Sequence, residues 1–326
     1  MEAALVTPLD IRYLLLLQTF REQIHDRLTP LMESVSLFSI TYLIVLPILV
    51  YWMIDKKSGL YTLASYSLCY GINAIVKLTV CAYRPWIRDP RIRPAGVSIR
   101  TAGGYSFPSG HTSTAGPIYG GLAVSARKRW KWLSAFGVFM ILFTGFSRNY
   151  LGVHTPQDVL VGVVAGTLVM YLTMKLMQWI KKHPEKDLLV VCIGVGLAIL
   201  VAIYAAVKPY PTDTDAAGKV LVEGAKMAND TFKGVGWSVA FLTGWILERR
   251  FVQFSTDIFM MNRITRLTFG LLSYYVVSLI FVPVIKDWIS GVPGTFVTCY
   301  LQMLYVSFIF PWILKHVEKT GRISNV

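Results

Sequence analysis

At 326 residues, with 54% hydrophobic and only 15% charged side chains, the chain is too apolar for an ordinary soluble domain, and its charges fall between apolar runs rather than along faces. A net charge of +14 could suit a nucleic-acid binder, but the basic residues lie in short loops beside apolar segments, so no nucleic-acid partner is expected. Cys69, Cys81, Cys192 and Cys299 stand singly with no Cys-x-x-Cys spacing, which argues against zinc and disulfides, and the first residues lack the pattern of a removable signal peptide.

In chain order, Pro8 to Glu33 mixes the apolar run Leu14 to Leu17 with Arg12, Arg21, Glu22, Asp26 and Arg27, and reads as an amphipathic interfacial helix. Spans follow at about Leu37 to Ile54, Leu60 to Tyr83, Ser109 to Ala126, Leu133 to Tyr150, Pro156 to Ile180 and Leu188 to Val207. Between the second and third lies a loop, Arg84 to Phe107, dense in Arg, Pro and Gly. Lys208 to Lys233 reads as a polar connector with a short helix around Gly218 to Asp230, and three more spans lie at about Gly234 to Leu247, Leu267 to Ile285 and Thr295 to Leu314. The expected architecture is an all-α polytopic membrane bundle of about nine helices. It divides into an interfacial segment (1–35), a six-helix core (36–208), and a connector with a three-helix extension (209–326).

With nine spans, Lys56 and Lys57, Arg127 to Lys131, Lys181, Lys182 and Lys186, Arg249 and Arg250, Arg263 and Arg266, and the tail Lys315, Lys319 and Arg322 share one face, which is then cytoplasmic. The N-terminus lies outside and the C-terminus inside. Arg84, Arg88, Arg91, Arg93 and Arg100 break the rule by crowding an outer loop, and binding a polyanion would explain them. The tail Arg322 to Val326 carries no organelle-retention signal, so a bacterial cell membrane is the expected location.

Three polar segments reach the outer face: Lys77 to Pro85, Tyr105 to Thr112, and Ser147 to Asp158. In the second, Pro108-Ser109-Gly110 makes a turn into an apolar helix whose first turn carries His111. A helix start offers unpaired N–H groups and the positive end of the dipole to an anion. Taken alone, Lys77 and Arg148 read as interfacial side chains and Ser109 as an ordinary cap, but Lys77, Arg84 and Arg148 together put three cations beside that helix start, which makes a phosphate site. Thr155-Pro156-Gln157-Asp158 reads as a second helix start, with Thr155 as N-cap and Asp158 three residues on. Asp158 either caps that helix alone or also accepts a hydrogen bond from His154, fixing its tautomer and freeing the other nitrogen to attack phosphorus. His111 would then protonate the departing oxygen. The few nearby carboxylates, Asp89 and Asp158, are too few for a two-metal cage, so no metal is expected.

In order and spacing, Lys77 to Pro85, Pro108-Ser109-Gly110-His111, and Ser147-Arg148 with His154 and Asp158 resemble the three signature motifs of the type 2 phosphatidic acid phosphatase superfamily. The resemblance implies a helical core in which Lys77, Arg84, Ser109, Gly110 and Arg148 cradle phosphate. His111 is then the general acid, His154 the nucleophile through a phosphohistidine, and Asp158 its orienting group, with no metal or other cofactor. The nine-span layout is similar to that of sphingosine-1-phosphate phosphatases and glucose-6-phosphatases. The leading expectation is therefore a membrane phosphatase acting on the monoester or pyrophosphate of a lipid phosphate on the non-cytoplasmic face. A phosphotransferase or sugar-phosphate phosphatase of the same superfamily, and a non-catalytic lipid binder or transporter, remain alternatives, and the sequence does not set the oligomeric state.

Overall fold

The computed structural model describes residues 8–128, 130–258 and 260–323, so Arg129 of the basic run and the end of the tail lie outside the described residues. The described residues are helical, with no strand and one isolated antiparallel bridge between Thr214 and Val220. In order the helices are α1 (Leu9–Gln23), α2 (Thr29–Thr41), α3 (Val45–Leu49), α4 (Lys56–Val80), α5 (Pro85–Arg88), α6 (Gly110–Ala126) and α7 (Lys131–Tyr150). They continue as α8 (Pro156–Lys182), α9 (Asp187–Val207), α10 (Gly224–Leu247), α11 (Met260–Val276), α12 (Val282–Trp288), α13 (Gly291–Leu304) and α14 (Phe310–Ile323).

Among the described residues, five helical stretches are long and apolar enough to cross a membrane, and the bent pair α2 and Val45–Ile54 makes a sixth if counted as one span. The nine spans expected from hydropathy are not confirmed by this count, since α6, α7 and α10 fall outside it. Two local readings are corrected. The N-terminal stretch is not one helix: it breaks after Gln23, where His25 and Asp26 take positive φ, and restarts as α2. The short helix expected near Gly218 to Asp230 and the span after it are one continuous helix, α10, because nothing between Gly224 and Leu247 breaks the backbone ladder.

The chain divides into two compact units. One comprises the described residues up to Ile44, Ile72–Val169 and Pro209–Met227, and contains every residue of the expected site. In it α6, α7 and α8 approach closely at glycines. A Cβ on Gly162 would lie 3.1 Å from the Ser109 carbonyl and 3.1 Å from Thr112 Cβ, and one on Gly116 would lie 3.5 Å from Gly166 Cα. Small residues let helices pack backbone to backbone, the favoured arrangement in lipid. Below the loop that follows α5, Met32, Ala95, Ala102, Tyr150, Leu151 and Val153 form an apolar cluster, with Ile11, Leu14 and Ile92 beside it.

The loop arginines behave differently from expectation. Arg88 pairs with Asp10 at 2.8 Å, Arg91 with Asp89 at 2.7 Å and Arg93 with Glu22 at 2.6 Å. Gln18 accepts from Arg93 N at 2.8 Å, and Arg21 donates to the Arg93 carbonyl at 2.8 Å. Three of the five arginines expected to meet a polyanion are thus neutralised by carboxylates; the pairs of Arg88 and Arg93 fasten α1 to the loop, and Arg84 turns to the site.

The other unit comprises Val45–Gly71, Met170–Lys208 and Ala228–Val326. Four of its helices are continued by π-helical turns, at Val50–Ile54, Glu248–Val252, Val277–Phe281 and Tyr305–Ile309, and carbonyls of the first and last find side-chain donors. Trp52 Nε1 donates to the Val306 carbonyl at 2.9 Å, Tyr51 Oη to that of Ser307 at 3.2 Å, and Arg266 to that of Trp52 at 2.8 Å.

Candidate active site

The site lies at one end of four helices: the last turn of α4, the first of α6, the last of α7 and the first of α8. Each turn is set by local chemistry. Ser109 is the N-cap of α6, its Oγ accepting from Thr112 N at 3.4 Å and Thr112 Oγ1 at 2.9 Å. Its own N–H donates to the Asp158 carbonyl at 2.9 Å, tying the two helix starts together. The link between α7 and α8 turns at Gly152, φ +72°, a conformation that favours glycine. Its tight return puts His154 directly before α8.

His154 is 1% exposed. Arg84 Nη1 lies 2.8 Å from its Nε2, and Asp158 Oδ2 lies 3.3 Å from its Nδ1. A guanidinium can only donate, so Nε2 carries the lone pair and Nδ1 carries the proton, directed at the carboxylate. Asp158 Oδ2 also accepts from Thr155 N at 2.8 Å, the capping-box bond, and from Ser106 Oγ at 2.5 Å. The capping and orienting roles weighed for Asp158 are therefore made by one oxygen. Burial first, then the charges of Arg84, Arg148 and Lys77, hold the His154 imidazole well below its ordinary value of 6.5. That direction favours the neutral imidazole.

Arg84 is 4% exposed and spends its other donors on backbone: Nε to the Gly104 carbonyl at 3.0 Å and Nη1 to that of Val153 at 2.9 Å. Lys77 Nζ donates to the carbonyls of Tyr105 at 2.9 Å, Ser106 at 3.4 Å and Pro108 at 3.0 Å, so it shapes the turn before α6 rather than snorkelling away from it. Gly110 opens α6, and a Cβ there would lie 3.9 Å from Asn73 Oδ1, leaving the helix start open to approach.

Arg148 and His111 differ from these. Arg148 is fully buried, and its Nη1 donates to Ser36 Oγ of α2 at 2.5 Å. Its Nε and Nη2 have no hydrogen-bond partner among the described residues, nor does Nε2 of His111, itself 5% exposed. The electrostatic neighbours of His111 are Arg148, His154, Arg84 and Lys77. Buried unpaired polar groups are costly, and the two Arg148 donors, clustered among cations, suit an anion with several oxygens.

Sequence reasoning missed Ser106, Ser36 and Asn149, whose Nδ2 donates to the His154 carbonyl at 2.9 Å. Ser106 lies inside the stretch already singled out, two residues before Pro108, but a serine beside a turn carries no mark of a distant partner. Ser36 carried no signal at all.

Residues 58–182 match the PAP2 superfamily, and residues 232–322 match the transmembrane extension of PAP2 superfamily phosphatases. The chain belongs to the PAP2 superfamily. The PAP2 stretch contains all the expected site residues, whereas α1 and α2 precede it. Among relatives, the chain is similar to phosphatidylglycerophosphatase B of Bacillus subtilis, 32% identical over 36% of this chain and 60% of that protein. It is also similar to undecaprenyl-diphosphatase of Sulfolobus acidocaldarius, 25% identical over 37% of this chain and 56% of that one. Lipid A 4'-phosphatase of Bacteroides thetaiotaomicron is 30% identical over 31% of this chain and 50% of its own. The chain thus spans between half and three fifths of these curated relatives' length. No solved structure matches it.

Proposed function

We propose that this PAP2 protein is a membrane-embedded phosphatase that hydrolyses the phosphate ester or diphosphate of a lipid. One observation carries the reading: His154, oriented by Asp158, lies among cations beside buried donors of Arg148 and a buried ring nitrogen of His111 that have no partner among the described residues. The three relatives named above, each a phosphatase or diphosphatase, agree with it.

In the proposed reaction the phosphoryl oxygens take up the Nε–H and Nη2–H of Arg148 and the guanidinium of Arg84, which leaves His154 Nε2 free. Nε2 attacks phosphorus, the bond to the lipid oxygen breaks, and His111 gives that oxygen its proton. The product is a phosphohistidine and a lipid alcohol. Water then attacks phosphorus, His111 takes its proton, and the N–P bond breaks to release inorganic phosphate. The positive charge developing on the His154 ring faces Asp158 throughout. The helix N-terminus at Ser109 and Gly110, with Lys77 behind the turn, adds positive potential where charge builds on the phosphoryl oxygens. A site walled by Arg84, Arg148 and Lys77 repels a divalent cation, so the reaction is metal-independent. Because the reacting groups sit at helix ends, the acyl or prenyl chain can stay in the bilayer, and the concentration of Lys and Arg in the other loops supports a site on the non-cytoplasmic side.

The test is phosphate release from a panel of lipid phosphates and diphosphates by purified protein in chelator. Wild type turns over, while His154→Ala and His111→Ala do not, and only proteins retaining His154 form an acid-labile phosphoenzyme. Wild-type activity in either variant, or its abolition by chelator, overturns the mechanism.

A further inference from the structure

A guanidinium has two usable edges, and the one formed by Nε–H and Nη2–H presents two parallel donors to two oxygens of one phosphoryl group. In Arg148 those are the two nitrogens without a partner among the described residues, while Nη1, at the far corner, donates to Ser36 Oγ. Ser36 is 3% exposed and belongs to α2, which precedes the PAP2 stretch. Its helix is itself fixed against this end of the unit: Met32 packs with Tyr150, Leu151 and Val153, and Glu33 accepts from Val97 N at 2.5 Å.

We propose that Ser36 is a positioning residue for the phosphate site, anchoring the far corner of Arg148 so that its paired-donor edge stays turned toward the phosphoryl group. This rests on the phosphate-site reading above. An arginine side chain has several rotatable bonds, and in a buried, low-dielectric setting an unanchored guanidinium turns toward whatever carbonyl it can reach. Ser36 supplies a rigid acceptor on the side away from the substrate, so the fork is set before the substrate arrives and little ordering remains to be done on binding. Helix α2 thereby acts on the chemistry without touching the substrate.

The experiment uses the full-length protein in detergent, with inorganic phosphate and orthovanadate as probes, read by the ligand-induced rise in unfolding temperature, and with kcat and KM on a lipid phosphate as a second readout. A hydrogen bond to a charged group sets the scale, so Ser36→Ala is expected to weaken inorganic phosphate binding about tenfold, and orthovanadate at least as much. The ligand-free unfolding temperature stays near that of wild type. Ser36→Thr, which keeps the hydroxyl, restores binding and kcat together. Phosphate bound as tightly by Ser36→Ala as by wild type overturns the proposal. So does equal weakening in both variants with both ligand-free unfolding temperatures lowered, since that assigns Ser36 to packing. Phosphate that binds wild type while no lipid ester is cleaved refutes the hydrolase reading and leaves the Ser36 assignment standing; a wild type that binds neither probe removes both.

Discussion

Asp158→Asn isolates what the carboxylate does for the proposed nucleophile. Asparagine has the same shape and keeps an oxygen for the Thr155 N–H and the Ser106 hydroxyl, so the cap of α8 survives. What it removes is the negative charge 3.3 Å from His154 Nδ1. During attack the imidazole acquires positive charge, and two unit charges about 4 Å apart at an effective dielectric of about 20 interact by about 4 kcal/mol. At 1.36 kcal/mol per factor of ten, that is about three powers of ten in rate. Because one oxygen serves Nδ1, Thr155 N and the Ser106 hydroxyl, the amide oxygen that keeps the cap also still accepts from Nδ1, so the tautomer is kept and the charge alone is lost. Initial rates of phosphate release and an inorganic-phosphate titration on the same preparation separate the effects: kcat should fall about a thousandfold while the phosphate Kd moves by no more than a few-fold. A kcat within tenfold of wild type would refute the charge argument, and loss of phosphate binding would show that Asp158 holds the site's shape instead.

A pH dependence follows from the same residue. His154 is held below its ordinary value of 6.5 in the fold, so below that pH the unfolded chain binds a proton that the native protein refuses. Its contribution is complete above pH 6.5 and is lost as pH falls toward the folded value. The unfolding temperature of wild type should therefore drop more between pH 7.5 and 5 than that of His154→Gln, and parallel curves would contradict the assignment. At Gly162, where a Cβ would lie 3.1 Å from both the Ser109 carbonyl and Thr112 Cβ, Gly162→Val overfills the contact at a cost of about 1–3 kcal/mol. It should lower both unfolding temperature and kcat, with Gly162→Ala milder; a valine variant of wild-type stability would show that α6 and α8 can separate freely.

Much of the fold was legible because apolar runs in a lipid setting have few ways to satisfy their backbone. Helix α8 begins at Pro156 and α7 ends at Tyr150, as the capping signals and hydropathy read. The π turns at Val50–Ile54 and Tyr305–Ile309 were not legible, since the Tyr51 and Trp52 donors that satisfy the second lie some 250 residues away in sequence. In the site, His154 and Asp158 could be paired from spacing alone because they are four apart around a helix start. Ser106 and Ser36 could not, because their partners come from other helices and a serine's hydroxyl announces no direction. The loop arginines misled for the complementary reason: charge counting shows an excess of cations, but Asp10 and Glu22, which neutralise Arg88 and Arg93, come from a helix more than sixty residues earlier.

The glycine contacts also bear on how such a protein can vary. Gly116 rests on Gly166, and Gly162 on the backbone of Ser109, so the gap between the helix whose first turn carries His111 and the one that follows His154 is measured in main chain. Main-chain dimensions are the same whatever residues surround them. The outward surfaces of α7 and α8, such as Phe139, Leu142, Leu160, Val164 and Leu168, can then be rewritten for a thicker or thinner bilayer while that interval stays fixed. A scaffold of this kind separates two problems, holding a fixed interval between helices and meeting a changing hydrocarbon surround, and assigns them to different atoms.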